Sequence, residues 1–104
     1  MKPAKLIWEE ISKNENGFPE KIEHSTEAYM REKSVTRAEA YESMRAGVSA
    51  RIVFELRPEE WEESRHTNEE GKPEYARKVI YEDVEYDIIR AYKKGKAFVE
   101  ITCG

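Results

Sequence analysis

Val48-Ser49-Ala50-Arg51-Ile52-Val53-Phe54-Glu55-Leu56-Arg57 is the stretch that decides the fold class. Val48, Ala50, Ile52, Phe54 and Leu56 fall on one side of an extended chain. Ser49, Arg51, Glu55 and Arg57 fall on the other, and only Val53 breaks the alternation. Side chains of a strand point alternately to opposite faces, so this pattern predicts a sheet with one buried and one wet face. Pro58 ends the ladder because it has no N–H to donate.

Upstream, residues 34–47 change character. Thr36-Arg37-Ala38-Glu39 is a capping box, in which the Thr36 hydroxyl accepts from the Glu39 amide and the Glu39 side chain reaches back to the Thr36 amide. Ala38, Tyr41 and Met44 follow at helical spacing, and Gly47 stands where a left-handed residue would end the helix. Before it, residues 22–33 set Thr26, Ala28 and Met30 against Glu27, Tyr29 and Arg31, the alternation of a long strand. Asn14-Glu15-Asn16-Gly17-Phe18-Pro19 is a turn signal, and residues 6–11 ahead of it read as a short strand, with helix as the alternative.

Downstream, residues 59–74 are charge-rich, carry Gly71 and Pro73, and hold one large apolar anchor, Trp61. They form either a long excursion or a short helical turn followed by a loop, an unusual length in a small domain. Trp61 stands amid Glu59, Glu60, Glu62 and Glu63, so it must dock against the domain or against another subunit. Residues 75–81, 86–92 and 97–103 read as three further strands, separated by Glu82-Asp83-Val84-Glu85 and Lys93-Lys94-Gly95-Lys96. In the last, Ala97, Val99, Ile101 and Cys103 alternate against Phe98, Glu100 and Thr102. Tyr29, Tyr81, Tyr86 and Tyr92, all on expected strands, read as core-edge aromatics with polar tips, with interface anchors as the alternative. The expected architecture is mostly β: a single domain, a small rolled six-stranded β-barrel with one short helix between strands 2 and 3 and a long acidic loop after strand 3.

Composition narrows the function classes. The 104 residues are 38% charged and 38% apolar, with five Gly, four Pro and one Cys. Collagen-like and low-complexity chains are excluded by that count. A lone cysteine excludes a disulfide scaffold, and no apolar run is long enough to form a spanning helix. The N-terminus reaches Glu9 too soon for a signal peptide, so the cytoplasm is the expected compartment. Lys plus Arg number 18 against 22 Asp plus Glu, a net charge of −4. Residues 55–87 hold 12 acids and 5 bases, the opposite of a phosphate-gripping face. Arg90, Lys93, Lys94 and Lys96 read as a solvated loop.

No catalytic constellation stands out. His24, His66 and Cys103 lack metal-ligand spacing, and neither GxGxxG nor GxxxxGK occurs. The paired acids Glu59-Glu60, Glu62-Glu63 and Glu69-Glu70 read as a solvated face, and Cys103 as a buried small hydrophobe. The chain is expected to be no enzyme and to use no cofactor or metal.

The order of these pieces resembles the head–tail adaptor, or head-closure, proteins of long-tailed bacteriophages and of prophages in Gram-positive bacteria. The residues that carry the resemblance are the Asn-x-Asn-Gly turn, the 36–44 helix, Val48-Ser49-Ala50-Arg51-Ile52-Val53-Phe54-Glu55-Leu56-Arg57, and Val79-Ile80-Tyr81-Glu82-Asp83-Val84-Glu85-Tyr86-Asp87-Ile88-Ile89. Two departures stand beside it. Thr36-Arg37-Ala38-Glu39 lacks the family's glycine, and Val84 lies near another. The resemblance implies a rolled barrel that assembles as a homo-oligomeric ring at the virion neck, after synthesis in the bacterial host cytoplasm. Its implied partners are the portal or adaptor ring of the head and the tail completion proteins, with packaged DNA only as a passing or retained polymer and no membrane. Glu59, Glu60, Trp61, Glu62, Glu63, Arg65, His66, Glu69 and Glu70 are then expected to face the channel or a neighbouring ring, and Arg37, Tyr41 and Arg45 to contact a subunit. An acidic lumen would let DNA slide without sticking. A small cytoplasmic β-barrel protein-binding module with no virion role is the competing expectation, since fold does not fix function. A nucleic-acid-binding barrel is a third, and would show affinity that falls steeply with salt.

Overall fold

A computed structural model of the protein describes residues 1–33 and 52–104. The expected helix, with Arg37, Tyr41 and Arg45, and the 48–51 start of the deciding strand lie outside these residues. The described chain is mostly β. It runs β1 (Lys2–Lys13), β2 (Pro19–Lys33), β3 (Ile52–Leu56), α1 (Pro58–Glu62), β4 (His66–Thr67), β5 (Pro73–Glu74), β6 (Lys78–Tyr81), β7 (Val84–Lys94) and β8 (Phe98–Cys103).

Six of these strands close a barrel in the order β1-β2-β3-β8-β7-β6, with β6 returning to β1 through Ala4↔Tyr81 and Ile7↔Lys78. All the pairings are antiparallel. Closure satisfies the ladder hydrogen bonds that an open sheet would leave at its edges. The barrel lumen is filled by the alternation seen in the sequence: Leu6, Met30, Phe54, Leu56, Val79, Ile101 and Cys103 are fully buried. Phe54 sits among aromatic neighbours, with its ring 4.7 Å from Tyr81 and 5.5 Å from Tyr86. Burying a side chain of that size contributes about 2–3 kcal/mol.

The wet outer face expected for the deciding strand is only partly there: Arg57 is exposed, Glu55 is not, and Ser49 and Arg51 lie outside the described residues. Val53, Glu55, Glu100 and Thr102 point away from the lumen, yet all are buried. Alternation tells which side a side chain takes; it does not tell whether that side is covered.

A bulge in β7 changes a second expectation. The register jumps between Ile88↔Cys103 and Arg90↔Thr102, leaving Ile89 as an extra residue. One extra residue flips every following side chain to the other face. Tyr86 therefore packs beside Phe54, whereas Tyr92 lies outside and donates its hydroxyl to Glu100. Tyr81 is in the core, but Tyr29 is 56% exposed on the outward side of β2, so a core-edge role is correct for only part of that set.

Two loops share one design. In Asn14-Glu15-Asn16-Gly17-Phe18-Pro19, the Asn14 side-chain oxygen accepts from the amides of Asn16 and Phe18, and the Gly17 amide donates to the Asn14 carbonyl. In Asn68-Glu69-Glu70-Gly71-Lys72-Pro73, Asn68 does the same with Glu70, Lys72 and Gly71. Gly17 and Gly71 have φ of 79° and 77°, the left-handed region that favours glycine. The asparagine supplies the acceptor that folds the loop, and the proline starts the return strand.

The β1–β2 hairpin outgrows the barrel. These strands pair from Lys2↔Met30 to Lys13↔Pro19, while β6 covers β1 only as far as Ile7 and β3 covers β2 only from Met30. Residues 8–24 therefore project as a two-stranded arm, on which Ile11, Phe18 and Ile22 are exposed.

Candidate functional site

The acidic segment after β3 is folded onto the barrel and is not a structureless loop. Pro58, with its φ preset for a helix, opens α1, and Glu59 and Glu60 occupy the first turn, where negative charge suits the helix dipole. This single turn points Trp61 at the barrel mouth. Trp61 is buried with the core residues and stacks on Tyr75, rings parallel and 5.0 Å apart. Of the two docking alternatives, the domain itself is the one observed. Ser64, also buried, locks the return: its hydroxyl donates to the Trp61 carbonyl at 2.7 Å and accepts the Ala76 amide at 3.1 Å.

The acids divide into two groups. Glu60 accepts the free backbone N–H of Tyr29 on the β2 edge, Glu63 accepts the Thr26 hydroxyl at 3.2 Å, and Glu62 accepts the Tyr75 hydroxyl at 3.0 Å. The hydrogen bond to the Glu62 carboxylate, then burial and the carboxylate's charge, raise the Tyr75 hydroxyl above the ordinary tyrosine range. Glu59, Arg65, Glu69 and Glu70 are exposed, and the last two stand on the β4–β5 turn. Three of the expected channel-facing acids are thus tied to their own barrel.

His66 leads to a cluster that spacing alone does not show. Its ring lies parallel to Trp8 at 5.2 Å, and the His24 ring also stacks on Trp8, at 5.7 Å. Trp8 and His24 are direct cross-strand neighbours in the arm. His66 arrives from β4, with its Nδ1–H donating to the Ser64 carbonyl at 2.9 Å. Each imidazole also meets a carboxylate: His24 Nε2 lies 2.7 Å from Glu10, and His66 Nε2 lies 3.4 Å from Glu74. The Arg77 guanidinium and the Asn68 side chain hold the Glu74 carboxyl below the usual carboxylate range. The stack fastens the β4–β5 hairpin to the base of the arm. The turn at 14–18 fixes a register that makes Trp8 face His24, so that half of the cluster was there to be read; the approach of His66 was not.

Between the arm, β4–β5 and the start of β6 runs an open groove of about 1000 Å³. It is lined by Ile7–Ile11, Lys21 and Glu23 of the β1–β2 hairpin and by His66–Glu70 with Glu74 on the β4–β5 side. The groove is chiefly acidic, with Lys21, Arg77 and Lys78 as its basic residues.

On the opposite flank, Glu55 and Glu100 are a register pair on β3 and β8. Lys33 Nζ lies 3.3 Å from Glu55 and 2.6 Å from Glu100, Arg31 pairs with Glu55, and Lys94 reaches Glu100 at 3.2 Å. Burial pushes the Glu100 carboxyl up, but hydrogen bonds from Lys33, Tyr92 and Lys94 outweigh it and hold it down at about 2. The hydrogen bond to Glu100 first, and that to Glu55 after it, raise the Lys33 ammonium above its ordinary value. The Cys103 thiol, deep in the core, is pushed up by burial to about 12. Among the described residues no three His, Cys, Asp or Glu side chains gather as a metal site, and no helix is long and apolar enough to cross a membrane. The geometry offers surfaces for contact: a reaching arm, a groove beside it and an acidic turn. No family model, curated protein or solved structure matches this chain.

Proposed function

We propose that this protein is a structural subunit of the phage head–tail junction, a member of a ring between portal and tail that helps retain packaged DNA. The observation that supports the reading best is the arm. A closed barrel has satisfied its own hydrogen bonds and has no need of a hairpin that runs past its mouth, with Ile11, Phe18 and Ile22 exposed. Such an element suits a subunit that must reach a neighbour, and a ring needs each copy to present two different faces. The barrel is also the fold that the resemblance implies. The acids free to face the channel or a neighbouring ring are Glu59, Glu69 and Glu70, because Glu60, Glu62 and Glu63 hold α1 to the barrel.

Electron microscopy of the purified protein, alone and mixed with portal complexes, tests this reading. Rings or decorated portals are expected. Monomers that leave the portal bare favour the second reading, a protein-binding module with no virion role, for which the groove beside the arm is the supporting observation. Serine in place of Glu59, Glu69 and Glu70 is expected to impair DNA retention or tail joining; unchanged particles would remove these acids from the channel.

A further inference from the structure

We propose that the free edge of β1 pairs with the same edge of a second copy of this chain, antiparallel about Ile11, in a two-fold symmetric dimer. The Arg77 amide donates to the Ile7 carbonyl, so odd-numbered residues of β1 turn their backbone groups toward the β6 side. β6 stops at Ile7. Glu9, Ile11 and Lys13 therefore present a row of N–H and C=O groups that no strand among the described residues receives, with Glu9 and Ile11 on the groove.

What fits that row is written in the row itself. Antiparallel pairing centred on Ile11 sets Ile11 against Ile11, Glu9 against Lys13 of the second copy, Lys13 against its Glu9, and Glu10 against its Ser12. All three odd positions then exchange backbone hydrogen bonds, opposite charges meet twice, and the half-exposed Ile11 side chains touch across the axis. Other registers fail. Centring on Glu10 opposes Glu10 to itself, and centring on Glu9 or Lys13 opposes like charges on the axis; centring on Ser12 leaves only residues 11–13 to overlap. The β2 edge is a poorer template, because Pro19 has no N–H and Glu60 already takes the Tyr29 amide. An isologous pair closes on itself, so this dimer is a state of the free protein and does not depend on the ring reading.

The test is oxidative cross-linking of purified Ile11→Cys, with Ile22→Cys as control. Opposed positions in a hydrogen-bonded pair lie about 5.5 Å apart at Cα, within disulfide reach. Cys103 is buried and does not compete. A covalent dimer from Ile11→Cys and none from Ile22→Cys is expected. Sedimentation over a range of concentrations supplies the second readout: Glu9→Lys and Lys13→Glu should each weaken the dimer about tenfold, and the double swap should restore it. High salt should weaken the unmodified dimer. A monomer at every concentration, cross-linking through position 22 in place of 11, or a double swap no better than either single change overturns the proposal. None of these outcomes bears on portal binding.

Discussion

Glu55 and Glu100 stand opposite one another on neighbouring strands, both 3% exposed, and share the ammonium of Lys33. Like charges set side by side repel, and burial strengthens the repulsion; Arg31, Lys33 and Lys94 turn the pair into a closed network. Removing Lys33 leaves two buried carboxylates without the cation they share. Lys33→Met is expected to lower the urea midpoint at neutral pH, and the deficit should shrink in acid as Glu100 protonates. An unchanged midpoint at pH 7 would mean that Arg31 and Lys94 suffice.

Acid should act through Glu100. Glu100 titrates at about 2 in the folded chain, below the 4.5 of a free glutamate, so as pH falls the unfolded chain takes up its proton first. The stabilisation is complete above the ordinary carboxylate range and is lost between about 4.5 and about 2. Urea unfolding across that interval should show the decline, and Glu100→Gln should flatten it.

Trp61 is the buried side chain of α1 and supplies its apolar anchor, beside the polar contacts of Glu60, Glu62 and Glu63. Trp61→Ala should cost about 3 kcal/mol in chemical denaturation. It should also expose the amides of the 58–74 segment to hydrogen exchange ahead of the barrel.

The twin turns give a paired prediction. Asn14→Ala and Asn68→Ala each remove an acceptor shared by two amides and should cost about 1 kcal/mol apiece, read from thermal unfolding. Because the loops share no contacts in the hydrogen-bond pattern, the double variant should be additive. Gly17→Ala, at a φ of 79°, should cost about 1 kcal/mol through strain alone, since nothing lies near its added carbon.

Burial holds the Cys103 thiol at about 12. The thiolate is the reactive form, so the native protein should resist thiol reagents at pH 8 and react only as fast as it opens. Labelling that outpaces unfolding measured by fluorescence would show that β8 frays on its own.

The deciding strand and its neighbours were legible because alternation is a local property: Phe54, Leu56, Val99 and Ile101 point inward wherever the strand lies. The turn at Asn14 was legible for the same reason, and its copy at Asn68 carries the same Asn-Glu-x-Gly-x-Pro spelling. Local chemistry also leaves the β1 edge self-complementary about Ile11. The tertiary structure decided what depends on distant partners. It covered the outer face of β3 and β8, turned Tyr92 outward through a bulge at Ile89, laid Trp61 on Tyr75, and brought His66 to the Trp8 that already faced His24. Periodicity assigns a side to each side chain, but only the packing of separate segments determines whether that side meets water, a carboxylate or another ring.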